Sequence, residues 1–433
     1  MLNPFSYGNP ITRPDRFIGR EEVVNQVYSR LLNPAFESTS IVGERRVGKT
    51  SLLYTLAHPH TKQRYGVDTG RTAFVYLDLQ AIPKSATPTR LWKRILKQIK
   101  KRVPDPAVHA AIDEAVSLEE IDSWALIDLF DVLDEQGCQV VLLLDEFERV
   151  TTNKNFPAEF FENWRSLAIH HNLALVLSSR QELSDSAILA EVSSSAFFNI
   201  FATIWLRPFS PANVEALLDS YLAHSGVTFG PNERAFLTQV AGRHPFFTQM
   251  AAFYLFDAHQ QGANLGGRLR HALARVREEA DGHFEHYWRH SDEEQKIVLT
   301  MLALLEREGK AGDRSFSTGR LQSLYGRSEP VLRELEQRTL LLVDNGRYRI
   351  FSSIFAAWIV EEVTDVMSEQ QSYGDWLTAN QSAMTRLSKG VKTEASAILP
   401  KVKDAYRELV VNWLSRPETA AAAGAFLKGL LLR

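Results

Sequence analysis

Residues 43–50 read Gly-Glu-Arg-Arg-Val-Gly-Lys-Thr, and no other stretch of the 433-residue chain restricts its folding as tightly. The octapeptide fits G-x-x-x-x-G-K-[ST] without a gap. A β-type run, STSIVG (38–43), leads into it, and an apolar helical run, SLLYTLA (51–57), leads out. The glycines let the backbone curl so that its N–H groups point at phosphate oxygens. The helix from Thr50 onward adds its positive N-terminal end. On this reading Lys49 reaches the β- and γ-phosphates and the Thr50 hydroxyl ligates Mg²⁺. Gly43, Arg46, Val47, Gly48, Lys49, Thr50 and Ser51 are the candidate nucleotide-binding residues. Arg45 and Arg46 occupy variable positions of the motif; a neighbouring subunit, a partner and solvent all stay open as what they face.

The alternation of strand and helix continues. TAFVYLDL (72–79), QVVLLLDEF (139–147) and LALVLSS (173–179) are near-continuous apolar runs of strand length, and ATIWL (202–206) is a fifth. Strands apolar on both faces belong in a parallel sheet covered by helices. Helices near 50–58, 88–103, 118–136 and 157–170 supply the crossovers. RFIGREEVVNQVYSRLL adds another, with Val23, Val24, Val27, Leu31 and Leu32 at helical spacing. One α/β domain therefore ends near residue 207. The run 140–144 ends in Asp145-Glu146. A P-loop enzyme needs an acid near the Mg²⁺ shell, on a strand beside the loop's own strand. Asp145 takes that role, and Glu146 is placed to polarise an attacking water as general base. Glu148 reads as a solvated helix residue. No N-K-x-D guanine motif occurs, which favours ATP over GTP.

A strand–helix unit (72–103) between the P-loop helix and the Asp145 strand, with a glutamate beside the aspartate, marks the ASCE branch of P-loop NTPases. Over about residues 3–363 the chain resembles STAND-type ATPases with an AAA+-like core. NPFSYGNPITRPDRFIGREE is similar to that group's N-terminal segment, and the resemblance implies that Gly19 and Arg20, with Glu21, lie against the adenine. SSR (178–180) ends the fourth strand, where the group places a sensor arginine, so the resemblance gives Arg180 the γ-phosphate. SAFFNIFATIWLRPFSPANVEALL (195–218) resembles the entry to a helical lid. AGRHPFFTQM (241–250) resembles the lid's glycine–proline motif, which implies that Pro245 packs on the base. RYRIFSSIFAAWI (347–359) resembles the end of the group's winged helix. The winged-helix histidine of that group is missing from 347–359, which leaves His244 as a substitute or Arg243 as a second sensor. A packing role for His244 stays open beside these. No repeat period follows residue 363.

The expected architecture is α/β: an extended lead-in (1–16), a P-loop ASCE parallel-sheet domain (17–208), a helical lid (209–290), a winged-helix domain (291–366) and a C-terminal helical segment (367–433). Residues 291–363 give three helical runs and then TLLLVDNGRYRIF, whose Asp344-Asn345-Gly346 turn predicts a hairpin. The segment 370–433 breaks at Gly390 and Pro417 and carries no catalytic cluster. It reads as an interaction domain for a protein effector or as an oligomer interface.

Lys plus Arg number 49 against 52 for Asp plus Glu, a net charge of −3. No whole-chain attraction to nucleic acid or anionic membrane follows. Cys138 is the single cysteine, which excludes a disulfide framework or metal–thiolate site and suits a reducing cytoplasm. MLNPFSYGNP has neither a basic nor an apolar signal region. No apolar run reaches the roughly 18 residues of a spanning helix. A winged helix invites DNA, but SEPVLRELEQR (328–338) sets Arg333 and Arg338 against Glu329, Glu334 and Glu336, while the wing carries Arg347 and Arg349. The better electrostatic candidate is RLWKRILKQIKKR (90–102), whose cations stand opposite Leu91, Ile95 and Ile99. A solvated outer helix and a docking stripe for DNA or an acidic partner both stay open. The expected function is a slowly hydrolysing ATP switch that changes conformation or oligomeric state and recruits a partner through its C-terminal helices. The alternative is a DNA-associated AAA+-like ATPase of the initiator or transposition-regulator kind.

Overall fold

A computed structural model describes residues 2–181, 196–308, 315–318, 321 and 328–369. The chain divides into two units, residues 8–207 and residues 1–7 with 208–433. The segment 370–433, expected to be an interaction domain, lies outside the described residues.

In the first unit, β1 (Ser38–Val42), β2 (Thr72–Asp78), β3 (Gln139–Asp145), β4 (Leu173–Ser179) and β5 (Phe201–Trp205) form one sheet. Its order is β2-β3-β4-β1-β5, with every pair parallel. Helices α1 (Glu21–Leu31), α2 (Lys49–Ala57) and α3 (Pro59–Arg64) precede β2. Next come α4 (Pro88–Lys100), α5 (Pro106–Ser117) and α6 (Ser123–Glu135), then the single-turn α7 (Glu148–Thr151) and α8 (Ala158–His170). Successive side chains of a strand point to opposite faces. Leu142, Leu144, Leu175 and Leu177 therefore enter one core with the apolar faces of α4, α5, α6 and α8, while Val141, Leu143, Ala174 and Val176 enter another with α1 and α2. β1 and β4 are buried along their whole length, as strands covered on both faces must be.

Local signals start the helices. Thr87, Asp105 and Asp122 accept from the amides of Arg90 (3.4 Å), Val108 (3.1 Å) and Ala125 (2.9 Å). Pro88 and Pro106 occupy first turns, where no intrahelical donor is lost. The helix expected from 118 begins only at Ser123, and α5, opened by its Asp105 cap, precedes it.

The sheet order corrects one expectation. The acid-bearing strand β3 is not beside the P-loop strand β1, because β4 lies between them. β2, which intervenes in sequence, forms the sheet's edge. Register aligns Ile41 with Ser178, Leu144 with Leu177 and Asp78 with Asp145, so the C-terminal ends of the strands share one rim. Open α/β sheets bind their ligands at that rim.

The second unit begins with four helices, α9 (Pro211–Leu222), α10 (Pro231–Ala241), α11 (Pro245–Gln260) and α12 (Leu265–Arg289). The first residues of the chain are fastened here. Asn3 Nδ2 donates to Phe253 O (2.9 Å) and Asp257 Oδ1 (2.7 Å), and the Phe5 ring stacks on Tyr221 at 5.4 Å. Then follow α13 (Glu293–Glu308), β6 (Phe316–Ser317), α14 (Ser328–Gln337), β7 (Leu341–Asp344), β8 (Arg347–Ile350) and α15 (Ser353–Glu369). The antiparallel sheet has the order β6-β8-β7. Helix, strand, helix and hairpin thus come in the order of a winged helix; the middle of the three expected helical runs falls largely outside the described residues. Asn345 and Gly346 take φ of 53° and 70° in the hairpin turn, the pair of conformations that Asn-Gly adopts most readily. No helix among the described residues is long and apolar enough to cross a membrane.

Trp164 is 0% exposed, with ring centroids 5.5 Å from Trp92 and 4.9 Å from Phe160. Its indole N–H is buried without a hydrogen-bond partner. Trp164→Ala should cost about 3–5 kcal/mol in urea unfolding. Trp164→Phe should cost much less, because the orphaned donor leaves with the indole.

Candidate functional site

Two glycines shape the loop between β1 and α2 for different reasons. At Gly43 a Cβ would stand 2.8 Å from Val47 Cγ1 and 3.3 Å from Leu206 Cβ, so the loop closes only on a residue without a side chain. Gly48 takes φ of +106°, a conformation that L side chains rarely adopt. Lys49, 5% exposed, folds back across the loop, and its Nζ donates to Gly43 O (2.8 Å) and Glu44 O (3.3 Å). Val47 is buried in the core beneath. The N-terminal segment is tied to this loop and its helix. Arg46 Nη1 donates to Gly8 O (2.9 Å), and the Ile11 amide donates to Ser51 Oγ (3.0 Å). Gly19 precedes Arg20, whose Nη2 donates to Val47 O at 3.4 Å. Burial lowers the Arg20 guanidinium to about 10.

Arg45 is exposed, but its amide N–H donates to Glu44 Oε1 at 3.0 Å, and Glu44 is only 7% exposed. One amide of the phosphate-binding kind is thus engaged by an internal carboxylate.

Asp145 closes β3 at 2% exposure, and three hydroxyls donate to it. Thr50 Oγ1 reaches Oδ2 at 2.6 Å, Tyr76 OH reaches Oδ2 at 3.2 Å, and Ser178 Oγ reaches Oδ1. Their donors come from α2, β2 and β4, so the carboxylate ties three elements at the rim. Burying a charge is costly unless hydrogen bonds offset the lost water. Burial, reinforced by the Asp145 charge, raises Tyr76 well above its ordinary value and keeps its proton in place. Glu146 turns the chain off the strand with φ of 56°, and its amide donates to Ser178 Oγ at 3.2 Å. Such a conformation is strained for a residue with a side chain and is found most often at functional sites. Burial raises the Glu146 carboxyl above its ordinary value; Lys49 pulls the other way, and Glu148 and Asp145 push it up further.

Glu148 differs from its sequence reading. It is 9% exposed, not solvated, and its Oε1 accepts from Arg180 Nε at 2.8 Å. The reason lies in the single turn that carries it. Phe147, Val150 and Thr151 are all buried, which presses α7 against the rim and takes Glu148 with it. Burial by itself would lower Arg180, but Glu148, and then Glu146 and Glu44, raise it above its ordinary value. Arg180 is therefore a fixed cation among carboxylates.

The structure brings together the residues 43–51, Arg20, Asp145, Glu146 and Arg180. Thr50 and Asp145 are hard oxygen donors that fit Mg²⁺, which is held by one or two carboxylates with substrate phosphates. Among the described residues no group of three or more His, Cys, Asp or Glu forms a metal cage. Pro245 opens α11 in the other unit. There Arg243 pairs with Asp344 at 3.1 Å, and His244, 1% exposed, packs on Phe247 (5.0 Å) and Phe351 (5.7 Å). Both are engaged within their own unit. Glu44, Tyr76, Ser178 and Glu148 were not singled out from sequence as site residues. Polar residues interrupting or ending an apolar strand could have flagged Tyr76 and Ser178.

Because the folded protein raises Glu146, that carboxyl stabilises the fold below its unfolded value, near 4.5, and this contribution is lost as pH rises through the folded value. Glu146→Gln should therefore melt at a higher temperature than wild type at pH 7 in metal-free buffer. The gap should close as pH falls toward 4.5. A melting scan across that range checks it, each kcal/mol reading as about 2–4 °C.

Comparison with curated protein sequences gave no match. Among solved structures, a Walker-type ATPase of Pyrococcus abyssi is similar with a TM-score of 0.53 at 17% identity, covering 81% of this chain and 98% of that one. The ORC2 protein of Aeropyrum pernix, in ADPNP–ADP complexes, gives 0.51 at 15% identity, covering 85% and 98%. At such identities the likeness is one of fold, a P-loop ASCE sheet with its helical additions. The sequence profile of the family described as Novel STAND NTPase 2 matches residues 33–304. The phosphate loop, the Asp145–Glu146 strand end and Arg180 all fall inside that span, and the chain belongs to this family of STAND NTPases, with an AAA+-like P-loop core.

Proposed function

We propose that the chain is a slowly hydrolysing ATP switch. The observation that carries this reading is the 2.6 Å hydrogen bond from Thr50 to Asp145, which sets a hydroxyl and a carboxylate side by side at the end of the P-loop. Lys49 and the loop amides bind the phosphates, with Arg46, Val47 and Ser51 holding the loop's shape. Thr50 and Asp145 hold Mg²⁺, which when bound neutralises charge on the phosphates. Glu146 orients and polarises the attacking water, and Arg180 reads the γ-phosphate. Gly19 and Arg20 border the adenine, and Pro245 of the lid packs on the base.

Three internal contacts of the site support slow turnover. Lys49 is bonded to its own loop, Glu44 engages the Arg45 amide, and Arg180 is paired with Glu148. A triphosphate must displace all three, whereas a diphosphate leaves the last in place. That difference in contacts is what lets ATP favour one conformation over another. The lid (209–290) and winged helix (291–366) move with nucleotide, the chain self-associates, and 367–433 recruits a protein partner. The single buried Cys138 suits a cytoplasmic location.

A DNA-associated ATPase is the second reading, supported by the basic α4 and the fold likeness to ORC2. The cations of the winged-helix segment weigh against it. Arg333 pairs with Glu329 at 2.6 Å, Arg338 donates to Gln295 and Ser291, Arg347 donates to Ser315 (2.9 Å), and Arg349 lies 3.8 Å from Asp344. A phosphate-facing surface keeps its cations available.

Lys49→Ala should lose the nucleotide that wild type retains through purification. Glu146→Gln should retain it and turn over about 10²–10⁴-fold more slowly. Wild type should differ in solution mass between ATP and ADP, and Lys49→Ala should not. One mass for both proteins with both nucleotides would overturn the switch. Salt-dependent duplex binding that stimulates turnover would favour the second reading.

A further inference from the structure

α4 and α6 carry matched, oppositely charged stripes. On α4 the apolar face, Leu91, Trp92, Ile95, Leu96 and Ile99, is buried in the sheet's core. Two of its lysines are used within the unit: Lys93 Nζ donates to Leu118 O at 2.6 Å, and Lys100 pairs with Asp113 of α5. What remains is Arg90, Arg94, Lys97 and Lys101, all exposed, whose side chains make no ion pair or hydrogen bond among the described residues. Their spacing of 4, 3 and 4 lines them along one side of the helix, over about 16 Å at 1.5 Å per residue.

Residues 103–148 contain no Lys or Arg. Within them α6 buries Leu126, Leu129, Phe130 and Leu133 and turns Trp124, Asp128, Asp131 and Glu135 outward. This spacing is again 4, 3 and 4. Trp124 is 74% exposed, the most exposed large aromatic among the described residues. Asp131 has one distant neighbour, His171 Nδ1 at 3.8 Å, and stays 60% exposed. An indole left in water at the head of an acidic stripe is costly in isolation and typical of an interface anchor.

We propose that these stripes form a self-association surface, in which α4 of one copy pairs with α6 of another. The spacing reads the same in both directions, so the stripes match with the helices parallel or antiparallel. Parallel, Arg90 lies over Trp124 and the three other cations face Asp128, Asp131 and Glu135; antiparallel, Lys101 takes the indole. A guanidinium or ammonium over an indole face is favourable. α5 packs against both α4 and α6 and shows the small residues Ala107 and Ala110 outward. A two-fold axis over α5 thus lets each stripe meet its opposite in the partner, which is the self-complementarity that a closed dimer needs. DNA fits this surface less well, because the acids of α5 and α6 adjoin the cations of α4. The surface deepens the self-association arm of the switch proposed above and rests on it.

The test is sedimentation of the full chain with ATP. Arg94→Glu with Lys97→Glu should weaken self-association about tenfold or more, since each attractive pair becomes a repulsion. Asp128→Lys with Asp131→Lys should do the same. An equimolar mixture of the two variants should regain a complex, because the reversed charges complement each other. Trp124→Ala should weaken association without changing its salt dependence, while wild type should lose association toward 1 M salt, where the Debye length falls to about 3 Å. All these positions are exposed, and retained nucleotide with unchanged melting establishes that each variant is folded. Association of either charge variant as tight as wild type, no recovery on mixing, or a wild type that stays monomeric in every nucleotide would overturn the surface. So would loss of duplex-DNA binding by the α4 variant with self-association intact. Equal association of wild type with ATP, ADP and neither, abolished by the variants, would keep the surface and remove the nucleotide switch.

Discussion

One buried carboxylate organises the functional rim. Asp145 has almost no contact with water, and its charge is tolerable because hydroxyls from α2, β2 and β4 converge on it. Each hydroxyl fixes a different element. Thr50 fixes the first turn of the P-loop helix, Tyr76 the edge strand, and Ser178 the strand between β3 and β1. Ser178 also takes the Glu146 amide, so the residue proposed to handle water is positioned by the same node. Removing the carboxylate would take the acceptor from one buried and two half-buried hydroxyls, and the rim would lose its registration before any question of metal binding arose.

Around this node the charges of the site are paired with one another. Glu44, Glu146 and Glu148 would repel one another in so small a volume, and Arg180 and Lys49 are the cations that hold them. Opposite charges inside a partly dry cleft interact strongly, and breaking one pair exposes the other partner to the full cost of burial. On the proposed reading, a bound triphosphate takes over contacts that these side chains make with one another. In the switch proposed above, the third phosphate is the group that competes with Glu148 for Arg180.

Much of the first unit was legible in the sequence because its signals are local. Leucine- and valine-rich runs of strand length can be buried on both faces only in a covered parallel sheet. Apolar runs of helical length placed α4 and α8 closely, while α5, opened by Asp105 and Pro106, was not expected and α6 begins at Ser123 instead of 118. The P-loop is legible for a stricter reason, because only glycine fits at Gly43 and Gly48. Glu148 was misread because its helix is one turn long, too short for periodicity to show which side faces inward. The position of β4 between β1 and β3 was missed because sheet order is a matter of long-range crossovers. The 72–103 unit separates the two motifs in sequence while β4 separates them in space.

The sequence by itself determined the class of the chain, the loop that holds phosphate and the strand that presents Asp145 and Glu146. Those depend on backbone conformations and burial patterns that neighbouring residues dictate. Only the tertiary structure decided what each polar group at the rim is bonded to: Asp145 to three hydroxyls, Arg180 to Glu148, the Arg45 amide to Glu44. It also decided which cations of α4 are used internally and which remain exposed. Hydrogen bonds and ion pairs act over a few ångströms, so they exist only after the chain has folded distant segments into contact.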